Sequence, residues 1–262
     1  MVSLTFKLKK RLKFLIERYP PIGKLLSSLM SLVEVASLEL LNWISLHLSP
    51  NFKIRIMNAF RGKWGSRVVP LNVNIPAETK YLPRQEIFEI ISRSHLFGIG
   101  ECYCRTKHQN CQNPTHTCIL LSPPQGKSLH DIDYRNVAFK NVSKQEVINV
   151  LEECDKRGLV HQLIYFPSPN YFYVICNCCP CCCESLANYR RFGSPQVVQS
   201  DFLESTDLEK CIHCGKCVEV CYFGARRMVN GTLEVKQENC KGCGLCIRRC
   251  DSNAISLIKR KK

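Results

Sequence analysis

The chain has 262 residues, of which 45% are hydrophobic and 23% charged, so most of it is expected to fold around a buried core. It carries 19 cysteines and a formal net charge of +15. The odd cysteine count, the close spacing of the cysteines and the lack of a signal-peptide pattern argue against a secreted disulfide scaffold, so we expect a reducing, cytoplasmic compartment and cysteines that bind metal.

The first part of the chain is basic and contains one long apolar stretch. Residues 1–67 carry twelve Lys and Arg against three Glu. Residues 24–48 are apolar at helical spacing, but Glu34 and Glu39 interrupt them. Three alternatives follow: a helix packed on the protein or a partner, a helix on an anionic membrane surface, and a membrane span, which the carboxylates disfavour. We predict an N-terminal helical segment over 1–67, with peripheral membrane association through residues 1–48 as an option.

The best-supported helix in the middle of the chain covers residues 143–158. Ser143 and Glu146 have the spacing of a capping box, and Gly158 supplies the C-terminal stop. The apolar face of this helix is predicted to consist of Ile148, Leu151 and Cys154.

Other elements are predicted around this helix. Residues 84–94 have the pattern of a short amphipathic helix, and 159–166 and 171–176 that of two strands joined by a turn. A helix followed by a hairpin is also how a winged helix ends. Residues 184–205 resemble a linker. These elements predict a small α+β, cysteine-rich domain over 68–200, with a winged-helix-like arrangement as an option.

Near the end of the chain the spacing C-x2-C-x2-C-x3-C occurs twice, 29 residues apart. This spacing is typical of a pair of iron–sulfur clusters. With two residues between ligands, the first three sulfurs of a run turn toward one cluster, and the fourth cysteine reaches the second cluster. Glycines within the loops let the backbone approach the cluster. The eight cysteines are Cys211, Cys214, Cys217 and Cys221 in the first run, and Cys240, Cys243, Cys246 and Cys250 in the second.

Residues 206–258 therefore resemble a bacterial-type ferredoxin domain with two [4Fe-4S] clusters. We place this domain, with its basic tail, at 201–262. The resemblance implies a pseudo-twofold pair of short hairpins and helices, and it disfavours structural zinc. It also implies crossed ligation, with Cys211, Cys214, Cys217 and Cys250 on one cluster and Cys240, Cys243, Cys246 and Cys221 on the other.

This chain departs from the family at two positions. The family usually has Pro after each fourth cysteine, where this chain has Tyr222 and Asp251. The change removes a rigid turn but no ligand. The carboxylate of Asp251 is expected to make the neighbouring cluster harder to reduce.

Another cysteine group lies between residues 102 and 118. Its C-x-C-x6-C-x6-C spacing can close one tetrahedral or cubane site, with zinc as a rival to iron. Arg105 can offset thiolate charge, and His108 and His116 are alternative ligands. The four cysteines are Cys102, Cys104, Cys111 and Cys118.

The last group is the run CNCCPCCC, with six cysteines: Cys176, Cys178, Cys179, Cys181, Cys182 and Cys183. Adjacent residues of an extended chain point to opposite sides, so this run can serve two sites. The pattern predicts Cys176, Cys178 and Cys182 on one side and Cys179, Cys181 and Cys183 on the other. Ten thiols in the two groups suit one or two further iron–sulfur clusters, with zinc as the weaker alternative.

The order of these motifs over residues 95–258 also resembles iron–sulfur proteins of anaerobic metabolism that are described by their 4Fe-4S dicluster domain. The favoured function is electron transfer to a redox partner protein. A reductase subunit with a reactive cluster is the enzymatic alternative. A redox-sensing winged-helix regulator is a third hypothesis, but the acidic helix at 143–158 argues against nucleic-acid binding. No nucleotide or flavin motif is present.

Overall fold

The structure is a computed structural model that describes residues 46–59, 65–71, 96–121, 139–165, 172–194 and 197–260, and eleven single positions between 36 and 94. Its elements are α1 (Pro50–Ala59), β1 (Gly65–Val68), β2 (Phe97–Glu101), α2 (Tyr103–His108), β3 (His116–Leu121), β4 (Lys140–Val142), α3 (Lys144–Lys156), β5 (Val160–Tyr165), β6 (Phe172–Cys178), α4 (Glu184–Phe192), β7 (Val197–Val198), β8 (Phe202–Thr206), α5 (Lys216–Glu219), β9 (Arg226–Val229), β10 (Thr232–Val235), α6 (Leu245–Arg248) and β11 (Ile255–Lys259).

Seven of the strands form one mixed sheet in the order β4-β2-β3-β6-β5-β1-β7. All neighbours are antiparallel except β1 and β7. Helix α3 covers one face of the sheet, where Val147 and Leu151 contact Ile119, Leu163 and Ile175, all fully buried. The central strands β3 and β6 lead directly into or out of cysteine groups, so the sheet register determines which cysteines meet.

Helix α3 confirms the prediction for residues 143–158. The Ser143 hydroxyl accepts a hydrogen bond from the Glu146 N–H at 3.3 Å, and the Glu146 carboxylate accepts one from the Ser143 N–H at 2.8 Å. Gly158 follows in the left-handed region with φ of 73°. The buried face differs in one position, because Val147 is buried and Ile148 only half-buried.

The predicted hairpin is present as β5 and β6, which pair from Val160 with Cys178 to Tyr165 with Phe172. Both strands lie inside the seven-stranded sheet and therefore have neighbours on their outer edges. The winged-helix-like arrangement is not confirmed. The mixed helix-and-strand architecture is as predicted.

The prediction of a linker over 184–205 is wrong. This stretch contains α4, β7 and the start of β8. Helix α4 begins after Cys183 and ends at Gly193, which has φ of 68°. Its pattern is only nine residues long, and the helix depends on Leu186, which is fully buried against the sheet.

The N-terminal predictions lie largely outside the described residues. Described positions between Ala36 and His47 are helical, and so are Ile87 and Ile90 within the predicted helix at 84–94. Within the part of the chain that is described, no helix is long and apolar enough to cross a bilayer.

The last part of the chain has the pseudo-twofold design that the resemblance to bacterial-type ferredoxins implies. Strand β8 pairs with β11, and β9 pairs with β10, both antiparallel. Helices α5 and α6 are each one turn long and follow Gly215 and Gly244, whose φ values are 77° and 80°. Only glycine adopts this conformation readily, which explains why both C-x2-C-x2-C loops have Gly directly before the helix.

Candidate metal centres

Four cysteines of the ferredoxin-like region line one cavity, and we call them the inner set: Cys221, Cys240, Cys243 and Cys246. The cavity measures about 350 Å³, counting space open to solvent. Burial is the main cause that raises the pKa of Cys243 well above its ordinary value, and charges on the other three inner cysteines add to it. Four thiols around one cavity are a suitable donor set for a [4Fe-4S] cluster.

The other four cysteines form the outer set, Cys211, Cys214, Cys217 and Cys250. Cys217 is buried in a small core with Leu233 and Ile255, against which Cys211 and Cys250 pack. Cys214 is exposed. The backbone N–H of Ala254 donates to the Cys250 sulfur at 3.3 Å, the type of contact that tunes a ligand thiolate. The outer set therefore lies nearer to solvent than the inner set.

A buried arginine lies beside both sets. Arg226 is 4% exposed and donates from Nη1 to the Cys217 sulfur at 3.5 Å. Its other amino group binds the buried Glu204 carboxylate and the Thr206 hydroxyl. Burial alone would lower the pKa of this guanidinium. The negative charges of Cys246, Glu204 and Cys217 outweigh the effect of burial, so the pKa is raised. Arg226 thus places a permanent positive charge next to thiolates of both sets.

Gly242, between the first two cysteines of the inner run, has no room for a side chain. Its φ is 66°, and an added Cβ would lie 2.2 Å from both the Phe202 carbonyl oxygen and the Ser200 hydroxyl. Ser200 Oγ donates to the Gly242 carbonyl at 3.0 Å, and the Gly242 N–H donates to the Cys240 sulfur at 3.4 Å. This close approach fixes the loop that carries Cys240 and Cys243.

Tyr222 and Asp251, which replace the usual prolines, have different surroundings. Tyr222 is half-buried in a core shared with the large sheet. Burial raises the pKa of Tyr222, and Cys243 on one side and Cys181 and Cys179 on the other add to the effect. Asp251 is exposed and forms an ion pair with Lys216. The lysine offsets part of the negative charge that the sequence predicts near the outer set.

In the cysteine-rich domain, six thiols form one connected row that we call the six-thiol set. The register of β3 with β6 and the start of α2 and α4 bring them together. In order of contact they are Cys118, Cys176, Cys178, Cys183, Cys104 and Cys102.

Mutual contact and burial favour the neutral form of several of these thiols. The hydrogen bond with Cys104, followed by burial, raises the pKa of Cys102 above its ordinary range. The contact with Cys176, followed by burial, does the same for Cys178. A bound metal supplies the positive charge that such thiols need in order to ionise. One iron–sulfur cluster needs four thiolate ligands, so six converging thiols are a sufficient donor set.

Arg105 supplies one fixed positive charge beside this set. It is 2% exposed and donates to the Asn177 carbonyl at 2.8 Å and to the Thr117 hydroxyl. Burial disfavours the charged guanidinium and would lower its pKa. The charges of Cys102, Cys179 and Cys178 outweigh that effect, so the pKa of Arg105 is raised. Its Nε has no hydrogen-bond partner within the described ranges. A bound sulfide would satisfy such a donor.

The other four thiols form a compact group that we call the four-thiol set. The Cys111 sulfur lies 3.8 Å from both the Cys179 and the Cys182 sulfur, and the Cys181 and Cys182 sulfurs are 3.9 Å apart. All four sulfurs lie within 4.8 Å of one another. Burial would raise the pKa of Cys111, but hydrogen bonds from Asn113 and contacts with Cys181 and Cys179 lower it to about 7.

The structure thus regroups the ten cysteines that the sequence singled out. The first group does not close a site by itself, because Cys111 lies with the second group. Within CNCCPCCC, Cys182 and Cys183 exchange the sides predicted for them. The strand ends at Cys178, and the turn at Pro180–Cys182 breaks the alternation on which that prediction depended.

The candidate histidines lie outside both thiol sets. His108 Nε2 contacts the Glu184 carboxylate at 2.7 Å, and His116 is exposed at the start of β3. Arg226 was missed by the sequence analysis, since an arginine four residues after a non-ligand tyrosine carries no recognisable signal. Asp155, whose buried carboxylate binds Arg248 of the ferredoxin-like region, was also missed, because a carboxylate on a helix normally faces solvent.

A continuous core joins the ferredoxin-like region to the sheet. It contains Phe223 and Leu245 from one side and Val160, Cys178 and Leu186 from the other, with Cys176, Tyr189, Tyr222 and Cys243 packed against it. The Tyr189 and Phe223 rings meet edge to face, with centroids 5.5 Å apart. Inner-set and six-thiol cysteines therefore border the same core.

Comparisons with known proteins concern the ferredoxin-like region. The sequence profile of the 4Fe-4S dicluster domain matches residues 207–254. The pyruvate synthase subunit PorD of Methanocaldococcus jannaschii is 37% identical over 57 residues, which are 21% of this chain and 66% of that subunit. An uncharacterised ferredoxin of the same organism is 40% identical over 62 residues, which are 21% of this chain and 80% of the ferredoxin.

A third relative is much longer than the matched part. It is a component of an ion-translocating oxidoreductase complex of Methanosarcina acetivorans and is 43% identical over 47 residues, 18% of this chain and 18% of that component. The chain thus spans less than two thirds of the length of this component and of PorD.

Proposed function

Because this chain belongs, through residues 207–254, to the family of proteins with a 4Fe-4S dicluster domain, we propose that it transfers electrons between a redox partner protein and its own cysteine-rich domain. The eight ferredoxin cysteines would hold two [4Fe-4S] clusters in the crossed pattern of the inner and outer sets. Bound clusters supply reversible one-electron transfer. The protein residues hold the thiolates in place, exclude water and set the local charge.

The shared core carries this proposal. Cys243 of the inner set and Cys176, Cys178 and Cys183 of the six-thiol set border one packed region. A ferredoxin domain that acted alone would not need its inner ligands to face a second buried set of thiols. We therefore assign a further iron–sulfur cluster to the six-thiol set, with Arg105 as its counter-charge.

The outer set is the proposed side for docking of the partner. Cys214 is exposed, and Leu208 and Ile212, near it in the chain, are 63% and 67% exposed. The names of two relatives identify them as subunits of pyruvate synthase and of an ion-translocating oxidoreductase complex. By analogy we propose that this chain works with a larger oxidoreductase.

Iron and sulfide analysis of the anaerobically purified full chain tests the proposal. The two ferredoxin clusters account for about eight irons and eight sulfides per chain, and a cluster on the six-thiol set adds to both. Cys178→Ser should lower the iron count toward eight, while the reduced EPR signal of the ferredoxin clusters persists. The matched control is Cys154→Ser, a buried cysteine outside all sets. A count of eight irons in the wild-type protein would refute the additional cluster. Absence of any iron-based EPR signal from the reduced wild-type protein would refute electron transfer.

A second candidate role is peripheral docking on an anionic membrane surface. Leu40, Trp43 and Leu46 belong to a helical segment and are 57%, 53% and 60% exposed. Glu39 on the same segment binds Lys107 of α2 at 2.5 Å, so the segment lies against the cysteine-rich domain. Flotation of the full chain with anionic and neutral vesicles tests this role. Trp43→Ser should reduce flotation with anionic vesicles, and equal recovery with both vesicle types would contradict it.

A further inference from the structure

The four-thiol set differs in geometry from every other cysteine group of the described residues. A single tetrahedral ion with metal–sulfur distances of about 2.3 Å places its four sulfurs about 3.8 Å apart. Three of the sulfur–sulfur distances in this set are 3.8, 3.8 and 3.9 Å. Three of the six distances therefore match a tetrahedron around one ion, and the other three are within 4.8 Å.

A cubane requires a wider arrangement, because each of its four thiolates binds a different iron. The inner and outer ferredoxin sets of the same chain can be compared with the four-thiol set. Among the described residues, no other group of three or more Cys, His, Asp or Glu has all its ligand atoms within 4.8 Å of one another. The inner and outer ferredoxin sets are therefore wider than the four-thiol set, and the inner set encloses a cavity.

The surroundings of the set are those of a closed site. Cys179 and Cys182 are buried in a small core with Cys154 and Leu159, against which Cys111 packs. All four ligand positions are sulfur, so none is left for water or a substrate. A closed set of four cysteines is typical of structural zinc.

We propose that Cys111, Cys179, Cys181 and Cys182 bind a single tetrahedral metal ion of the zinc class, distinct from the iron–sulfur clusters. The ion links the loop after α2 to the turn after β6, two segments about 70 residues apart in the chain. Asn110 already joins the same segments by donating to the Cys181 carbonyl at 3.0 Å. Fixing this turn also fixes Cys178 and Cys183 on either side of it, which belong to the six-thiol set.

Metal analysis of the anaerobically purified full chain is the first test. We expect one zinc per chain in addition to iron, and zinc X-ray absorption that shows four sulfur neighbours at about 2.3 Å. This measurement needs no variant, so it does not depend on whether a substituted protein folds. Absence of zinc from the wild-type protein, with all iron matched by sulfide, would overturn the proposal. One iron without sulfide, bound by four sulfurs, would support the single-ion site but overturn the choice of zinc.

Variants locate the ion. Cys181→Ser changes an exposed ligand and should reduce zinc from one per chain to near zero, with iron, sulfide and the EPR signal of the reduced protein unchanged. Cys154 packs against the site but does not belong to it, so the Cys154→Ser variant should retain the zinc. Loss of about four irons and four sulfides in Cys181→Ser would instead identify a cubane. Zinc and iron are counted separately. Absence of zinc therefore leaves the proposed electron transfer intact, and absence of the iron–sulfur clusters leaves the proposed zinc site intact.

Discussion

The Arg248 guanidinium, at the end of α6 in the ferredoxin-like region, binds the buried carboxylate of Asp155 on α3. Asp155 is 5% exposed and lies 3.8 Å from the ring of His161, whose Nδ1 contacts Asn177 at 2.5 Å. Asn177 in turn accepts from Arg105. A buried polar network therefore runs from the ferredoxin-like region to the six-thiol set.

Arg248→Gln is the first prediction from this network. It leaves the Asp155 carboxylate buried without its guanidinium partner, which costs about 1 to 3 kcal/mol. The expected result is a lower free energy of unfolding in anaerobic denaturant titrations. Arg249→Gln, at the neighbouring exposed position, is the control and should change stability little. Equal effects at both positions would show that the ion pair does not stabilise the interface.

Gly242→Ala is predicted to disrupt the inner set. The new methyl group would lie 2.2 Å from backbone and side-chain oxygens, and the residue would keep a φ of 66°. The loop must shift, so we expect loss of about half of the ferredoxin iron.

Gly224→Ala separates this clash from backbone strain. Gly224 has a similar φ of 68°, but an added Cβ would meet no atom within 4 Å. It should cost only about 1 to 2 kcal/mol of stability and retain all iron. If both variants lose iron equally, strain rather than close packing explains the requirement for glycine.

Arg226→Gln is predicted to lower the reduction potentials of the ferredoxin clusters by an amount on the order of tens of millivolts, measured by EPR-monitored titration. The variant removes a buried positive charge that stabilises the more negative, reduced state. Arg227→Gln is the control, because Arg227 forms a surface pair with Glu234 on the neighbouring strand. An unchanged potential in Arg226→Gln would show that Glu204 neutralises the arginine completely.

Asp251→Asn should raise the potential of the outer cluster slightly, and Lys216→Gln should lower it. The two side chains form an ion pair but are 66% and 55% exposed, so water and salt screen their charges. Both shifts should therefore be smaller than that of Arg226→Gln and should shrink further at high ionic strength. Shifts that do not respond to salt would contradict a through-solvent effect.

Tyr222→Ala is predicted to loosen the interface between the inner set and the cysteine-rich domain. The ring packs in the shared core, and its hydroxyl lies about 3.4 Å from the position of a Cβ on Gly158. We expect slower reduction of the cysteine-rich domain by a low-potential donor, in stopped-flow measurements at the same iron content. Tyr222→Phe keeps the packing and should react like wild type. An equal rate in Tyr222→Ala would exclude a role for this contact.

Local sequence was sufficient wherever short-range geometry decides the structure. The capping box of Ser143 and Glu146 predicted α3, and two C-x2-C-x2-C-x3-C runs identified the dicluster domain. Between such close residues the chain has few conformations, so spacing alone indicates a ligand loop. Helix α4 was missed because its pattern is short and its stability depends on burial of Leu186 against the sheet.

The partition of the other ten cysteines depended on tertiary structure. Cys111 follows Cys104 closely in the chain, yet it lies 3.8 Å from Cys179 and not with the six-thiol set. The register of β3 with β6 and the turn at Pro180 decide this, and both arise from packing of the whole sheet. The sequence by itself identified the 4Fe-4S dicluster domain and the eight cysteines that are predicted to bind its clusters. Only the fold decided which of the remaining thiols meet, because residues about 70 positions apart are brought together by long-range strand pairing that no local spacing encodes.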